Sequence, residues 1–327
     1  MKRWSRQRIA PGPEPGGRRS GAVPTWVPLA LLVAGLFVGL QALERDARGR
    51  GLAQIDATRY RLHSGTKWLS HAWTEQLERV LVETRDLPAD DLRVIEDFAE
   101  RVEALPFVAE VGEPEVQWPD GLTLPIRLHE PVACIRIGSR DFLPVAMDGT
   151  ILGGYAFSPH EAYGGWLPTL GPHGLLEAEQ GDIEPGDRIE VPALRAALHV
   201  ADSMWRYLDV DDLRLLGRIV IDATRPDAPV FDRAAGTVTP STLPGGVVLE
   251  LDQTRRVVFG RPPVPVLEGE LPVALKWEHV ESALAAWGRG EEWALLDARF
   301  DVGVLLTRDE VLDFERRWEG DGADRDR

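Results

Sequence analysis

Few residues in this chain stand at spacings that could do chemistry, and each set lacks a part. His160-Glu161-Ala162-Tyr163-Gly164 opens like the HExxH of zinc hydrolases, but Gly164 stands where the second imidazole ligand belongs. Ala146-Met147-Asp148-Gly149-Thr150 has the outline of an Asp-x-Asp-Gly-Thr phosphoryl-transfer loop. Ala146 takes the nucleophile's place, so no carboxylate can accept the phosphoryl group, and Asp148-Gly149 reads as a hairpin turn. Asp209, Asp211 and Asp212 would suit a cation, yet the glycine and distal glutamate of a calcium loop are missing, so a solvated loop at a helix end is preferred. A phosphate-cradling loop needs Gly-Lys, and Lys2, Lys67 and Lys276 follow Met1, Thr66 and Leu275. No serine is read in GxSxG or in Ser-x-x-Lys. Cys134 is the single cysteine, which excludes an intramolecular disulfide and a CxxC metal site; it reads as a small buried hydrophobe on a strand. The expectation is a chain that is not an enzyme, with no catalytic residues, cofactor or metal, and no small-molecule substrate.

Charge narrows the partners. Asp and Glu number 53 against 37 Lys and Arg, a net charge of −16. Six of the bases (Lys2, Arg3, Arg6, Arg8, Arg18 and Arg19) precede the first long apolar run and face only Glu14, so the remainder is more acidic still. Such a surface repels phosphates and excludes nucleic acid as a partner; it also excludes lying flat on anionic lipid.

The elements that must position any site begin with Trp26 to Leu43, a run without a charged side chain. A span of ~20 apolar residues matches a bilayer core of roughly 30 Å, so this run predicts one membrane-spanning helix over 23–43. A cleaved secretory signal fits less well, because Leu40 stands where a small residue is needed before a cut after Ala42. The basic flank predicts a cytoplasmic N-terminus and an exported remainder at the inner membrane. Gly35 and Gly39 form a GxxxG that would let two such helices approach closely. Residues 1–22, rich in Pro and Gly, read as a disordered cytoplasmic tail, 44–55 as a connector and 315–327 as a charged tail.

Between these, apolar residues at helical spacing predict one helix through Leu69, Trp73, Leu77 and Val80, ended by Pro88. A second is capped by Asp90 or Asp91 and carries Leu92, Ile95, Phe98, Val102 and Leu105. Alternation predicts a weak first strand at Ala57–Leu62 and a hairpin from Glu115–Trp118 through Pro119-Asp120-Gly121 to Leu122–Leu128, with Pro125 calling for an edge or a bulge. Strands follow at Val132–Ile137 and Leu143–Leu152. Residues 153–190, rich in Gly and Pro, read as an extended loop. Then come a helix from Leu194 to Leu208, strands at Leu215–Asp222 and Gly246–Phe259, and a helix opened by Pro272. Last is a hairpin of Trp293–Arg299 and Val304–Arg308 about a turn at Asp301–Gly303.

Leu105-Pro106-Phe107-Val108, then Val116-x-Trp118-Pro119-Asp120-x-Leu122, then Glu130-Pro131-Val132-Ala133, then Asp148-Gly149 resemble the bacterial cell-division protein family FtsQ (DivIB). The likeness covers about residues 56–155; beyond it only the order of elements agrees. It departs at Gln117, where the family has a basic residue, in the poor first strand, and in 153–190. The resemblance implies an α+β protein: a transmembrane helix, a POTRA-like domain over 56–130 and a mixed, mostly antiparallel β domain with helices over 131–314. It implies a non-enzymatic scaffold at the division septum that recruits proteins similar to FtsB and FtsL. Partner binding at the end of the β domain, carried over, falls on Val304, Leu305, Leu306 and Thr307 with Arg299 and Phe300 beside them. The mode would be addition of a strand to an exposed sheet edge. The bland reading of Val304 and Leu306 is plain core. Two other classes stay open: an exported POTRA-containing module of envelope transport, and an exported hydrolase with a dispersed carboxylate site.

Overall fold

The computed structural model describes residues 26–49, 54–56, 59–62, 70–83, 86–88, 91–117, 121–162, 164–225, 230–232, 237–239, 246–252, 254–263, 270–314 and 316. The tails expected at 1–22 and 315–327 lie outside the described residues except for 316, as does the Trp118-Pro119-Asp120 part of the family motif. Chain contacts divide the protein into two compact units, Met1–Gln54 and Ile55–Arg327.

The first unit contributes helix α1 (Trp26–Gly49). Pro28 falls in its first turn, where the missing N–H has no intrahelical partner to lose. The expected membrane span is corrected here: among the described residues no helix is long and apolar enough to cross a membrane. The reason lies in its make-up. The uncharged run Trp26 to Leu43 is diluted by Pro28, Gly35, Gly39 and Gln41. Beyond it the helix continues through Arg45 and Asp46. Gly35 and Gly39 lie on α1, and a Cβ at either would meet nothing within 4 Å.

The second unit opens with short strands β1 (Gln54–Asp56, whose Gln54 belongs to the first unit) and β2 (Arg59–Leu62), then helix α2 (His71–Glu83), strand β3 (Asp86–Pro88) and helix α3 (Leu92–Glu103). Strands β4 (Val108–Val111), β5 (Glu115–Gln117) and β6 (Gly121–Leu128) follow. The Asp91 carboxylate caps α3 by accepting from the Arg93 N–H at 3.2 Å. Strand β6 runs parallel to β2 and antiparallel to both β4 and β5. Its alternation sends Leu122, Leu124, Ile126 and Leu128 inward against Trp73, Leu77, Ile95, Phe98 and Val102 of the two helices. Pro125 therefore lies on the central strand instead of at an edge. It falls opposite the break between β4 and β5, where Gly112 N–H donates to its carbonyl at 2.8 Å, so no ladder bond needs its absent N–H.

Strands β7 (Pro131–Ile137) and β8 (Asp141–Ala146) begin a second, eight-stranded sheet. The expected loop 153–190 is in fact structured: strands β9 (Glu161–Ala162), β10 (Gly165–Trp166) and β11 (Thr169–Gly171) and helix α4 (Leu175–Gln180) lie within it. Strand β11 sits inside the sheet, parallel to β7 on one side and to β12 on the other. Helices α5 (Pro192–Tyr207) and α6 (Val210–Leu216) lead to β12 (Val220–Arg225), β13 (Val230–Asp232), β14 (Thr237–Thr239), β15 (Gly246–Glu250) and β16 (Arg256–Gly260). Helix α7 (Val273–Gly288) and strands β17 (Leu295–Asp297) and β18 (Val304–Leu306) complete the sheet, whose order is β18-β17-β16-β15-β12-β11-β7-β8. Ladders are antiparallel except at β7/β11, β11/β12 and β16/β17. Helices α5, α6 and α7 bury their apolar faces, among them Leu194, Leu198, Leu213, Trp277 and Leu284, on Ile135, Leu170, Ile221 and Leu249 of the strands.

The sequence reads Gly246–Phe259 as one strand, whereas the structure folds it into the β15–β16 hairpin around Asp252. That carboxylate accepts from Thr254 N and Oγ1 (both 2.7 Å) and from Arg255 N and Nε (2.8 and 2.9 Å). Burial alone would push the carboxyl up, but the donors from Thr254 and Arg255 overcome it and hold it at about 2. A carboxyl lowered on folding stabilises fully above its ordinary value of 3.8, and that contribution disappears as pH falls from there towards about 2. Because Asp252 is partly exposed, solvent screening cuts its share to about 1 kcal/mol. Asp252→Asn should flatten the stability–pH curve between those limits, measured by urea midpoints; an unchanged slope would remove this role.

Candidate partner-binding edge

Among the described residues strand β18 is the last in the sheet and pairs with β17, in the register Leu295–Leu306, Leu296–Leu305 and Asp297–Val304. Ala294 N–H donates to the Leu306 carbonyl at 2.8 Å, so Leu306 turns its backbone towards β17.

The predicted site residues divide. Leu306 is fully buried and joins Val258, Leu295 and Phe314 in a small cluster against which Val304 also packs. Leu305 points to the other face and packs on the main core. The bland reading of Val304 and Leu306 as core therefore describes their side chains.

Arg299 is not on the surface. It is 1 % exposed, with Nε 2.9 Å from Asp297 Oδ1 and Nη2 2.8 Å from Asp297 Oδ2, a two-toothed ion pair sealed in the interior. Its guanidinium lies 5.3 Å from the ring centre of the half-buried Phe300, and its carbonyl accepts from Leu271 N–H at 3.0 Å. A second buried pair adjoins it: Lys276 Nζ donates to Glu270, whose carboxylate also accepts from Arg261 N–H at 2.8 Å. Burial lowers the Lys276 ammonium below its ordinary value, with Glu270 acting in the opposite sense. Gly260 makes the close approach possible. Its φ is +77°, and a Cβ there would lie 2.5 Å from Glu270 Oε2 and 2.7 Å from Arg299 Cγ.

Thr307 is not a strand residue. Its N–H and hydroxyl donate to the Glu310 carboxylate at 2.8 and 3.0 Å, Glu310 N–H lies 3.4 Å from the hydroxyl, and Val311 N–H donates to its carbonyl. Thr307-Arg308-Asp309-Glu310 is a capping box that starts the helical residues 308–314. The signal was legible as Thr-x-x-Glu. Exposed apolar groups beside the edge come instead from Val302 at the turn and Leu312 on the helical stretch, 76 % and 45 % exposed, which alternation alone does not single out.

The remaining chemical candidates resolve into structural roles. Asp148 caps its own turn, accepting from Thr150 N–H (3.1 Å) and hydroxyl (2.8 Å), with Gly149 at φ +90°. Asp209 caps α6 through Asp211 and Asp212 N–H, both at 2.9 Å. Cys134 is fully buried in β7, and burial pushes its thiol up to about 12, so no thiolate forms near neutral pH. Among the described residues no group of His, Cys, Asp and Glu could hold a metal ion. Against the reading that no serine stands in Ser-x-x-Lys, Ser64 and Lys67 have that spacing; both lie outside the described residues. Compared with known proteins, the chain matches no family model and no curated sequence.

Proposed function

We propose that this chain is a non-enzymatic scaffold of the bacterial division machinery, similar to FtsQ, working at the septum on the outer side of the inner membrane. Its POTRA-like and β regions recruit other division proteins, small coiled-coil proteins resembling FtsB and FtsL, and the partner adds a strand to β18. The observation that carries the reading is the place of β18: among the described residues it is the last strand in sequence and the last in the sheet, behind a stretch with the family's motif order.

Leu305→Pro puts a ring with no N–H to donate into β18. The expected result is partner binding weaker by at least about tenfold with the fold retained, read by pull-down and circular dichroism. Retained binding would count against strand addition. Thr307→Pro is a different experiment, because it takes the N–H from Glu310 and should cost about 1 kcal/mol of stability at the cap. A fluorescent fusion tests the larger reading: a midcell ring supports it and a uniform envelope signal opposes it.

A further inference from the structure

A cleft of about 440 Å³ opens where α5 meets α6, and a second of about 590 Å³ shares Glu130, Val132 and Asp202 with it, so the two form one groove. The floor of the first is apolar: Val132, Leu208 and Leu213 are buried, and the Trp205 indole is fixed by donating to the Val132 carbonyl at 2.7 Å. Its lip carries Val210, 43 % exposed, beside Tyr207, 49 % exposed. Its charged rim is all acid: Glu130, Asp202 and Asp209. In the second part, the described cations are already engaged or discharged. Arg127 pairs with Glu110 and Arg188 with Asp148. Burial chiefly lowers the pKa of His129, with Arg127 and Arg188 adding to it and Asp148 opposing. Asp202 holds Arg206, but Glu130 and Asp209 face the groove as net negative charge.

We infer that this groove docks a basic amphipathic helical segment of a partner protein, with aliphatic side chains on the Trp205 floor and lysines or arginines against Glu130 and Asp209. Charge selects this occupant. A second copy of the chain carries the same −16, and lipid headgroups and nucleic acids bring phosphates, so each would meet repulsion at this rim. The inference does not depend on the division reading.

The test uses the full chain and a labelled ~18-residue Leu/Lys helical peptide, about five turns, followed by fluorescence anisotropy. Saturable binding is expected, with a Leu/Glu peptide and a Ser/Lys peptide binding at least about tenfold more weakly. Glu130→Gln combined with Asp209→Asn, which keeps a capping side chain on α6, should weaken binding by roughly fivefold; Val210→Lys should weaken it by roughly tenfold. Glu100→Gln with Glu103→Gln, on the exposed side of α3, should leave it unchanged. Equal binding of the Ser/Lys peptide would overturn the inference by showing that acidity alone suffices. So would an unchanged affinity in the rim variant, or an equal loss in the α3 variant.

Discussion

Arg299→Ala should destabilise the protein by about 3–5 kcal/mol, because it strands the Asp297 carboxylate in the interior with its counter-charge removed. The Asp297 and Arg299 side chains are each 1 % exposed and joined by two charge-assisted bonds, so water cannot replace the lost guanidinium without opening the sheet between β16 and β17. The neighbouring Lys276–Glu270 pair and the crowding at Gly260 leave little room for relaxation. Urea denaturation would read the loss as a lowered midpoint. Replacing both partners with apolar residues of similar volume, Asp297→Leu with Arg299→Met, should recover much of it, since desolvating the pair offsets a large part of its Coulomb attraction. A loss under about 1 kcal/mol in the Ala variant would mean that the pair is solvated. The same experiment separates two roles for Arg299: a surface contact would lower partner affinity at unchanged stability, and a buried strut lowers stability first.

The sequence showed Arg299 next to a hairpin but not that it was buried, and the reason is general to this chain. Periodicity reports which face of an element is apolar, so the α2 and α3 stripes and the inward residues of β6 were legible from Trp73, Phe98, Leu122 and Leu124. It is silent where burial is achieved by pairing charges, as at Asp297–Arg299 and Lys276–Glu270. It also fails for elements too short to show a period. Strand β11 is Thr169-Leu170-Gly171 between Pro168 and Pro172, and only its parallel neighbours β7 and β12 make it a strand. Pro125 misled for a related reason: its cost depends on what stands opposite, and the β4–β5 break is a tertiary fact. At the candidate edge, the hairpin of β17 and β18 was legible from its turn at Asp301–Gly303. Thr307 was read as strand because the Thr-x-x-Glu box abuts the alternating residues without a gap. The apolar run at 26–43 gave the helix but overstated it as a span: the helix includes Gln41 and runs on through Arg45 and Asp46 instead of ending with the apolar residues.

Trp73→Ala is expected to be the other severe substitution, at about 3–5 kcal/mol for the lost side-chain volume alone. Trp73 is 0 % exposed on α2 and stacks on Phe107 with ring centres 5.1 Å apart and planes 7° from parallel. Its indole N–H donates at 2.7 Å to the carbonyl of Gly153, which follows the β8 turn. One side chain thus ties the helices over the four-stranded sheet to the start of the eight-stranded one. Ala146 and Leu152 of the second stretch belong to the same apolar cluster as Leu77, Phe98 and Phe107 of the first. Losing the indole also leaves the Gly153 carbonyl without that donor, a further ~1 kcal/mol or more if water does not enter. Trp73→Phe keeps most of the ring packing and removes the donor, so it should cost about 1–2 kcal/mol and separate the two contributions. Because the cluster draws on both stretches, Ile55–Arg327 should unfold in one transition, seen alike by near- and far-ultraviolet dichroism. Trp73→Ala should shift that whole transition. Two separate transitions in the unaltered protein, only the earlier of them moved by the substitution, would show that the helices over β6 fold independently of the larger sheet.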